Sequence, residues 1–482
     1  MFQKYSPVTR ADYQRWIPTQ DAAIRRVQSD PRALRYHLMP RLGWLNDPNG
    51  LCQFHGIYHI YYQYDPFDVN GDLKLWAHLT TTDFIHYEEH EPFLFPDSAL
   101  DAHGAYSGSA FVKDDQIHFF YTGNIKLFDR PDYDYIHSGR VANTIHLVSP
   151  DGFQFERKEL VMGMEDYPEG FTQHIRDPKL IEEDGVTYMV QGTRDDDDHG
   201  ALLLFSSDDL SHWQYRYALR TKEPLGYMWE CPDLFVLDGQ HLLITCPQGV
   251  PTQGADYANV HSCVWMQLSH TLADGLTVET VHQLDRGFDF YAPQSFADEQ
   301  GRRILIGWMG IPDADYTNPT TDHGWQHALT IPRLLSWKDG MLHQQPLPEL
   351  EGLRRESWQM DVEALNARGF DEECYELELQ LDGCKQLTLS LSEEIRLTYQ
   401  DQLFTLDITA CGCGRTTRSV HLAQLHDLHL FSDTSSLEVF LNEGSEVFTT
   451  RIYPTRPRCV KLKTGGQPAI LRLHALSAHQ IR

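Results

Sequence analysis

Three acidic residues stand in polar, proline-bearing settings: Asp47 in Trp44-Leu45-Asn46-Asp47-Pro48-Asn49-Gly50, Asp177 in Ile175-Arg176-Asp177-Pro178, and Glu230 in Glu230-Cys231-Pro232-Asp233. A single Asp-Pro is most often a turn whose carboxylate accepts backbone N–H groups. Three acidic motifs accompanied by an arginine, a serine and several aromatics suit another task. Glycosidic bond cleavage needs one carboxylate to attack or support an oxocarbenium-like carbon, and one carboxylic acid to protonate the leaving oxygen. Neighbouring residues divide those roles. Asn46 and Asn49 favour an ionised Asp47. Tyr227-Met228-Trp229 predicts an apolar wall that raises the pKa of Glu230. Arg176 keeps Asp177 ionised and suited to gripping hydroxyls. Trp44, Trp76, Tyr106, Trp229, Tyr291 and Trp308 offer faces on which the C–H side of a sugar ring can stack, although each of them alone reads as core.

Residues so far apart in the chain need elements that bring them together. A turn followed by an apolar strand recurs at Gly56, Asp115, Gly185, Gly239 and Gly301, at intervals of 54 to 70 residues. Several units also carry a polar turn before an aromatic, in TTTDFIHY, SPDGFQF and SSDDLSHW. A multi-strand unit repeated five times predicts a five-bladed β-propeller, each blade a small antiparallel sheet; a large sandwich or barrel is the rival arrangement. Eight or nine residues before each marker stands a polar or proline-bearing tetrad. They are Asn46-Asp47-Pro48-Asn49, Tyr106-Ser107-Gly108-Ser109, Ile175-Arg176-Asp177-Pro178, Glu230-Cys231-Pro232-Asp233 and Tyr291-Ala292-Pro293-Gln294. Each falls on or just before the first strand of its blade. First strands line a propeller's axis, so the five segments converge at one end of the channel.

The rest of the chain divides around that repeat. Residues 1–33 read as a helical leader broken by Pro18 and Pro31, and 34–345 as the propeller. Residues 346–358 read as a linker. Residues 359–482 carry the period-two, turn-punctuated pattern of a β-sandwich, in CYELELQL, QLFTLDI and AILRLHAL. The expected fold is all-β. A length of 482 residues with 41% hydrophobic and 12% aromatic content supports more than one packed core.

A formal charge of −29 repels nucleic acid and anionic membrane surfaces, and fits a neutral ligand. The charged N-terminal stretch has no apolar run of a secretory signal, and no stretch approaches the roughly 18 apolar residues of a membrane span. Nine cysteines without a disulfide spacing read as reduced thiols, Cys411-Gly412-Cys413 lacking a second ligand pair. The expectation is a cytoplasmic protein whose partner is a small molecule, with neither nucleic acid nor membrane. A homo-oligomer through the sandwich domain is left open.

These motifs together resemble glycoside hydrolase family 32, the invertases, sucrose-6-phosphate hydrolases and fructan hydrolases. The resemblance runs from about Tyr36 to near the C-terminus. Trp44-Leu45-Asn46-Asp47-Pro48-Asn49-Gly50 matches the family's most diagnostic signature. Arg176-Asp177-Pro178 and Glu230-Cys231-Pro232-Asp233 match the next two in order, and Ser435-Ser436-Leu437-Glu438-Val439-Phe440-Leu441-Asn442 is similar to that of its sandwich domain. The resemblance implies a five-bladed propeller with a C-terminal sandwich, no metal or other cofactor, and retaining hydrolysis of β-D-fructofuranosides. In these terms Asp47 is the nucleophile, Glu230 the acid/base and Asp177 the transition-state stabiliser. Asn46, Gln63, Ser107 and Arg176 fall where the family holds fructose, with Tyr106 and Trp308 as aromatic walls. Fructosyl transfer, short-fructan exohydrolysis and a non-catalytic sugar-binding propeller are the alternatives. One stretch departs from the pattern. Gly71-Asp72-Leu73-Lys74-Leu75-Trp76-Ala77-His78 lacks the first of two tryptophans many members carry, which implies a changed leaving-group side. A phosphorylated leaving group would call for a basic cluster there, and the sequence does not place Lys74, Arg194 or His323.

Overall fold

The computed structural model describes residues 7–482, so the first six residues of the leader lie outside the described residues. Helices Arg10–Trp16 and Asp21–Gln28 form the leader, divided by a single 3-10 turn, Ile17–Gln20, which carries Pro18. Among the described residues no helix is long and apolar enough to cross a membrane.

From Gly43 to Pro346 the chain lays down five antiparallel sheets in succession. Their first strands are Gly43–Phe54, Ala105–Lys113, Phe171–Glu183, Met228–Leu237 and Tyr291–Ala297. Each pairs with the apolar run that marked the sequence repeat: Ile57–Asp65, Gln116–Lys126, Val186–Asp195, Gln240–Gln248 and Arg303–Met309. Two further strands complete each sheet. The second strands are buried almost throughout because both faces are covered, which is why their sequences run apolar without alternating. Burial fades outward, and the fourth strands of the third and fourth sheets, Gln214–Leu219 and Thr277–Gln283, are largely exposed. Neighbouring first strands touch in a closed cycle, the fifth returning to the first. Pro48, Gly108, Pro178, Pro232 and Pro293, one from each, surround a narrow central space. Five successive sheets whose first strands close in a cycle support the five-bladed reading.

The polar turns recur as one structure. Thr81, Ser149 and Ser207 hydroxyls accept the amides of Phe84, Gly152 and Leu210, while Asp83, Asp151 and Asp209 each cap two amides further on. Two short parallel pairings cover the edges of the first sheet. Trp325–Gln326 adds to Gly43–Trp44, and Gln480–Ile481 adds to His86–Tyr87. Ile24 and Val27 of the leader pack on Trp325 and Met309 beside the first of these seams.

Two sheets face each other over a leucine-rich core in the C-terminal unit. The strand Arg354–Met360 pairs with Ala469–Leu476, so the sandwich sheet begins inside the stretch read as linker, and the connection is the 3-10 turn Pro348–Leu353. Its exposed, polar composition hid an edge strand.

A buried ionic node joins the two units. Arg333, fully buried, donates to Glu438 and Asp285, and His37 bridges Asp433 at 2.9 Å and Glu438 at 3.0 Å. Arg415 forms a fork on Asp289, both bonds 2.7 Å. Arg333→Met leaves two buried carboxylates short of their cation, and is expected to cost about 3 kcal/mol or more. Urea unfolding measures this; a loss below about 1 kcal/mol would show that the node is dispensable for stability.

Candidate active site

A cavity of about 230 Å³ opens at one end of the axis, lined by Trp44, Asn46, Asp47, Gln63, Lys74, Tyr106, Ser107, Tyr135, Arg176, Asp177, Glu230, Cys231, Tyr291, Trp308 and Pro312. Eleven of the thirteen residues singled out from the sequence are here, Trp76 and Trp229 being the exceptions. Eight of them lie in the tetrads, where each first strand carries an irregularity, while Gln63 and Trp308 come from second strands and Trp44 from just before the first tetrad. Two consecutive residues oppose one on the neighbouring strand, at Asn46-Asp47, Tyr106-Ser107, Asp177-Pro178, Cys231-Pro232 and Ala292-Pro293. Such bulges re-aim side chains that a regular pleat would send to opposite faces. Asp177, Cys231 and Ala292 hold φ of +64°, +48° and +43°, a conformation that costs non-glycine residues energy and persists where surroundings enforce it.

Asp47 is fixed on both oxygens. Asn46 Nδ2 donates to Oδ1 at 2.9 Å, and Ser107 Oγ donates to Oδ2, with Cys231 Sγ 3.7 Å away. Gln63 links the set, accepting from Asn46 and donating to Ser107 at 2.8 Å. Trp44 Nε1 donates to Asn46 Oδ1 at 2.7 Å. Asp177 takes the backbone N–H of Cys231 at 2.8 Å on Oδ2, while Oδ1 receives no hydrogen bond among the described residues. Glu230 is the most heavily held. Arg176 donates to Oε1 through Nε at 3.1 Å and again through a terminal nitrogen, and Gln248 and Tyr291 donate to Oε2 at 2.6 and 2.7 Å.

The electrostatics differ from the sequence expectation. Burial pushes Glu230 up, but the Arg176 guanidinium and the donors around it win, so its pKa lies below the ordinary glutamate value. Arg176 turns to Glu230 rather than to its neighbour Asp177, whose carboxylate is 3.9 Å away. Burial therefore dominates at Asp177 and pushes it up to about 7. Burial also raises Asp47 against its hydrogen bonds from Ser107 and Asn46. The apolar wall expected from Tyr227-Met228-Trp229 is absent from the cavity. Trp229 is buried between the third and fourth sheets, its Nε1 donating to Leu225 O at 2.8 Å.

Trp76 is the other candidate outside the cavity lining, and the structure places it behind Tyr106. It is fully buried against Phe119 and Tyr121, with Nε1 donating to the carbonyl of Tyr106 at 3.2 Å. It supports an aromatic wall without forming one. Trp44, Trp308 and His327 cluster together, and Trp308 Nε1 is buried without a hydrogen-bond partner. Among the three cations left unplaced, Lys74 lines the cavity. Arg194 instead pairs with Asp198, and His323 faces Asp30 beside the leader. Tyr135 and Gln248 were not read from the sequence. Gln248 lies opposite Met228 in the register of the fourth sheet, a position findable only once the pairing is known. Tyr135 sits in the loop between Lys126 and Arg140, where nothing in the composition singles it out.

The chain is similar to known proteins along nearly its whole length. The model of the Glycosyl hydrolases family 32 N-terminal domain matches residues 37–346, and that of the Glycosyl hydrolases family 32 C terminal matches 349–474. A sucrose-6-phosphate hydrolase of Bacillus subtilis is 38% identical over 444 residues, covering 89% of this chain and 90% of its own. One of Salmonella typhimurium is 36% identical over 464 residues, covering 91% and 94%. The structure of sucrose-6-phosphate hydrolase from Lactobacillus gasseri superposes with a TM-score of 0.87 at 28% identity, covering 99% of both chains. A Bombyx mori GH32 β-fructofuranosidase gives 0.82 at 26%, covering 98% of both. With both family models matched in order across nearly its whole length, the chain belongs to glycoside hydrolase family 32.

Proposed function

We propose that the cavity hydrolyses terminal β-D-fructofuranosides of the sucrose type with retention of configuration. The observation that carries the reading is the convergence of Asp47, Asp177 and Glu230, from three different sheets, on one cavity walled by aromatics and amides. The names of its relatives point the same way. Asp47, held on both oxygens, attacks the anomeric carbon of the fructosyl unit. Glu230 passes its proton to the leaving oxygen as that bond breaks. Water then attacks the fructosyl–Asp47 ester, Glu230 recovers the proton, and fructose departs. Asp177 accepts from fructosyl hydroxyls through its unoccupied oxygen, and Trp308 Nε1 offers a donor. Nine cysteines, all unpaired thiols, support a cytoplasmic setting.

The donors of Arg176, Gln248 and Tyr291 lower the proton affinity of Glu230, whereas the first step needs its proton. Sugar hydroxyls that take up the donors of Arg176, and exclude water from Glu230, weaken the hold on its charge. Substrate binding thereby loads the proton that the reaction spends.

Asp47→Ala and Glu230→Gln are each expected to lower kcat by about 10²-fold or more while leaving the melting temperature close to that of the parent. Proton NMR of freshly released sugar should show β-fructofuranose first; an inverted product overturns the double displacement. The Arg176 ion pair gives a pH test with a defined sign. Arg176 lowers the pKa of Glu230, so Arg176→Gln raises it. The alkaline limb of kcat/KM, where the acid loses its proton, then moves to higher pH by about one unit or more. A limb that stays in place would show that Arg176 does not set the proton affinity of the acid.

A further inference from the structure

The hold on Glu230 depends on where Arg176 points. The guanidinium gives Nε and one terminal nitrogen to Glu230 Oε1. Asp177, its neighbour in the chain, lies 3.9 Å away and is the competing direction. The other terminal nitrogen meets Nδ1 of His174 at 3.1 Å. His174 and Arg176 are two residues apart on the strand Phe171–Glu183, so their side chains leave on one face, just ahead of the irregularity at Asp177-Pro178. His174 is buried, and its ring stands at 90° to that of Tyr135 with centroids 5.8 Å apart. Its amide donates to Thr172 Oγ1 at 3.2 Å, which anchors the backbone at that point.

The chemistry of this contact fixes the state of the ring. A guanidinium stays charged in a protein and only donates. Nδ1 of His174 therefore accepts, and the ring is neutral with its proton on Nε2. Burial disfavours a charged imidazole, and Arg176, Arg140, Arg194 and His137 oppose a second proton further, so the ring stays far below the ordinary histidine pKa. An uncharged acceptor is what the position calls for. A carboxylate there would draw the guanidinium away from Glu230 and screen part of its field. An apolar side chain would leave one buried donor unpaired and the guanidinium free to swing to Asp177. The neutral ring holds the direction and leaves the charge for Glu230.

We propose that His174 is a positioning residue: its neutral Nδ1 aims the Arg176 guanidinium at Glu230 rather than at Asp177, and so governs the pH at which the acid catalyst loses its proton. This role rests on the β-fructofuranosidase reading and is exercised through Arg176, because His174 is not among the residues lining the cavity. Besides Arg176, the titratable and charged groups facing Glu230 are Asp47, Arg140, Asp177, Tyr227, Cys231, His261 and Tyr291, and changes at 174 leave all of them in place.

The test is the pH profile of kcat/KM on sucrose for the full chain, with His174→Phe, His174→Asn and His174→Asp beside the parent and Arg176→Gln. Phenylalanine keeps the ring and removes the acceptor. Asparagine puts an amide oxygen close to the place of Nδ1, and aspartate puts a charge there. Loosening or screening Arg176 weakens its support of the ionised Glu230, so the pKa of the acid rises and the alkaline limb moves to higher pH. His174→Phe should move the limb up by about half a unit or more, a roughly threefold change in the ionisation equilibrium. His174→Asp should move it further, since its own charge also acts on Glu230. His174→Asn should bring the limb back to within about 0.3 units of the parent. Thermal melting separates aim from packing. A His174→Phe chain that melts lower but keeps the parental limb overturns the proposal, as does an asparagine variant whose limb follows that of phenylalanine. Should His174→Phe not fold, the near-isosteric asparagine and aspartate variants carry the test, and equal limbs for the two overturn it. If Arg176→Gln moves the limb and His174→Phe does not, the fructofuranosidase reading stands and the role of His174 falls. A parent that releases fructose from neither sucrose nor sucrose 6-phosphate overturns both.

Discussion

The cavity exists because five strands break their pleat at the same height. In a regular strand Asn46 and Asp47, or Tyr106 and Ser107, would point to opposite faces, and no ring of first strands would present adjacent polar side chains to its axis. One extra residue in each first strand, with proline or glycine at Pro48, Gly108, Pro178, Pro232 and Pro293, turns the strand there. Proline lacks an N–H to give the ladder and glycine tolerates close backbone approach, so both suit a point where pairing is interrupted. Where the strain is greatest, at Asp177, Cys231 and Ala292, packing from neighbouring sheets pins the backbone. The Asp177 amide, for instance, donates to the Thr122 hydroxyl of the sheet before it, at 3.0 Å.

That frame was legible in the sequence to a large extent, because it is written locally. Markers at Gly56, Asp115, Gly185, Gly239 and Gly301 fall at the turns that lead into second strands, and the tetrads fall on first strands, as the repeat predicts. Eight of the candidate residues, those in the tetrads, meet for the same reason. The electrostatics were not legible, since they depend on which way a side chain turns. Arg176 is adjacent to Asp177 in the chain, yet its guanidinium crosses to Glu230 in the next sheet and reverses the expected order of acidities. Trp229 precedes Glu230, but strand alternation sends it to the far side and into the core. Trp76 shows the same limit, since its motif gives the position in the strand but not the layer behind Tyr106 that it fills. Tyr135 depends on a loop whose course is set by tertiary contacts alone.

Among the described residues the sandwich contributes none to the cavity, yet it is tied to the ring through groups that are costly to bury. Glu438 and Asp433 from one unit meet Arg333 and His37 from the other, and Asp289 is shared between Arg415, Thr450 and the Arg451 amide. An apolar seam of equal area tolerates sliding, whereas paired buried charges accept one register. Asp289 lies two residues before Tyr291, which holds Glu230. The junction therefore fixes the fifth sheet where it enters the cavity.

The two parallel seams bear on how the chain comes to be built. The first sheet is synthesised early, but one of its edges is covered only when Trp325–Gln326 arrives, and the other only when Gln480–Ile481 does. Until then it presents two unpaired strand edges, the kind of surface that recruits wrong partners. A nascent chain emerging from the ribosome thus carries an exposed template for several hundred residues of translation. Shielding during that interval, by the leader helices or by a chaperone, would matter more to the yield of folded protein than to its final stability.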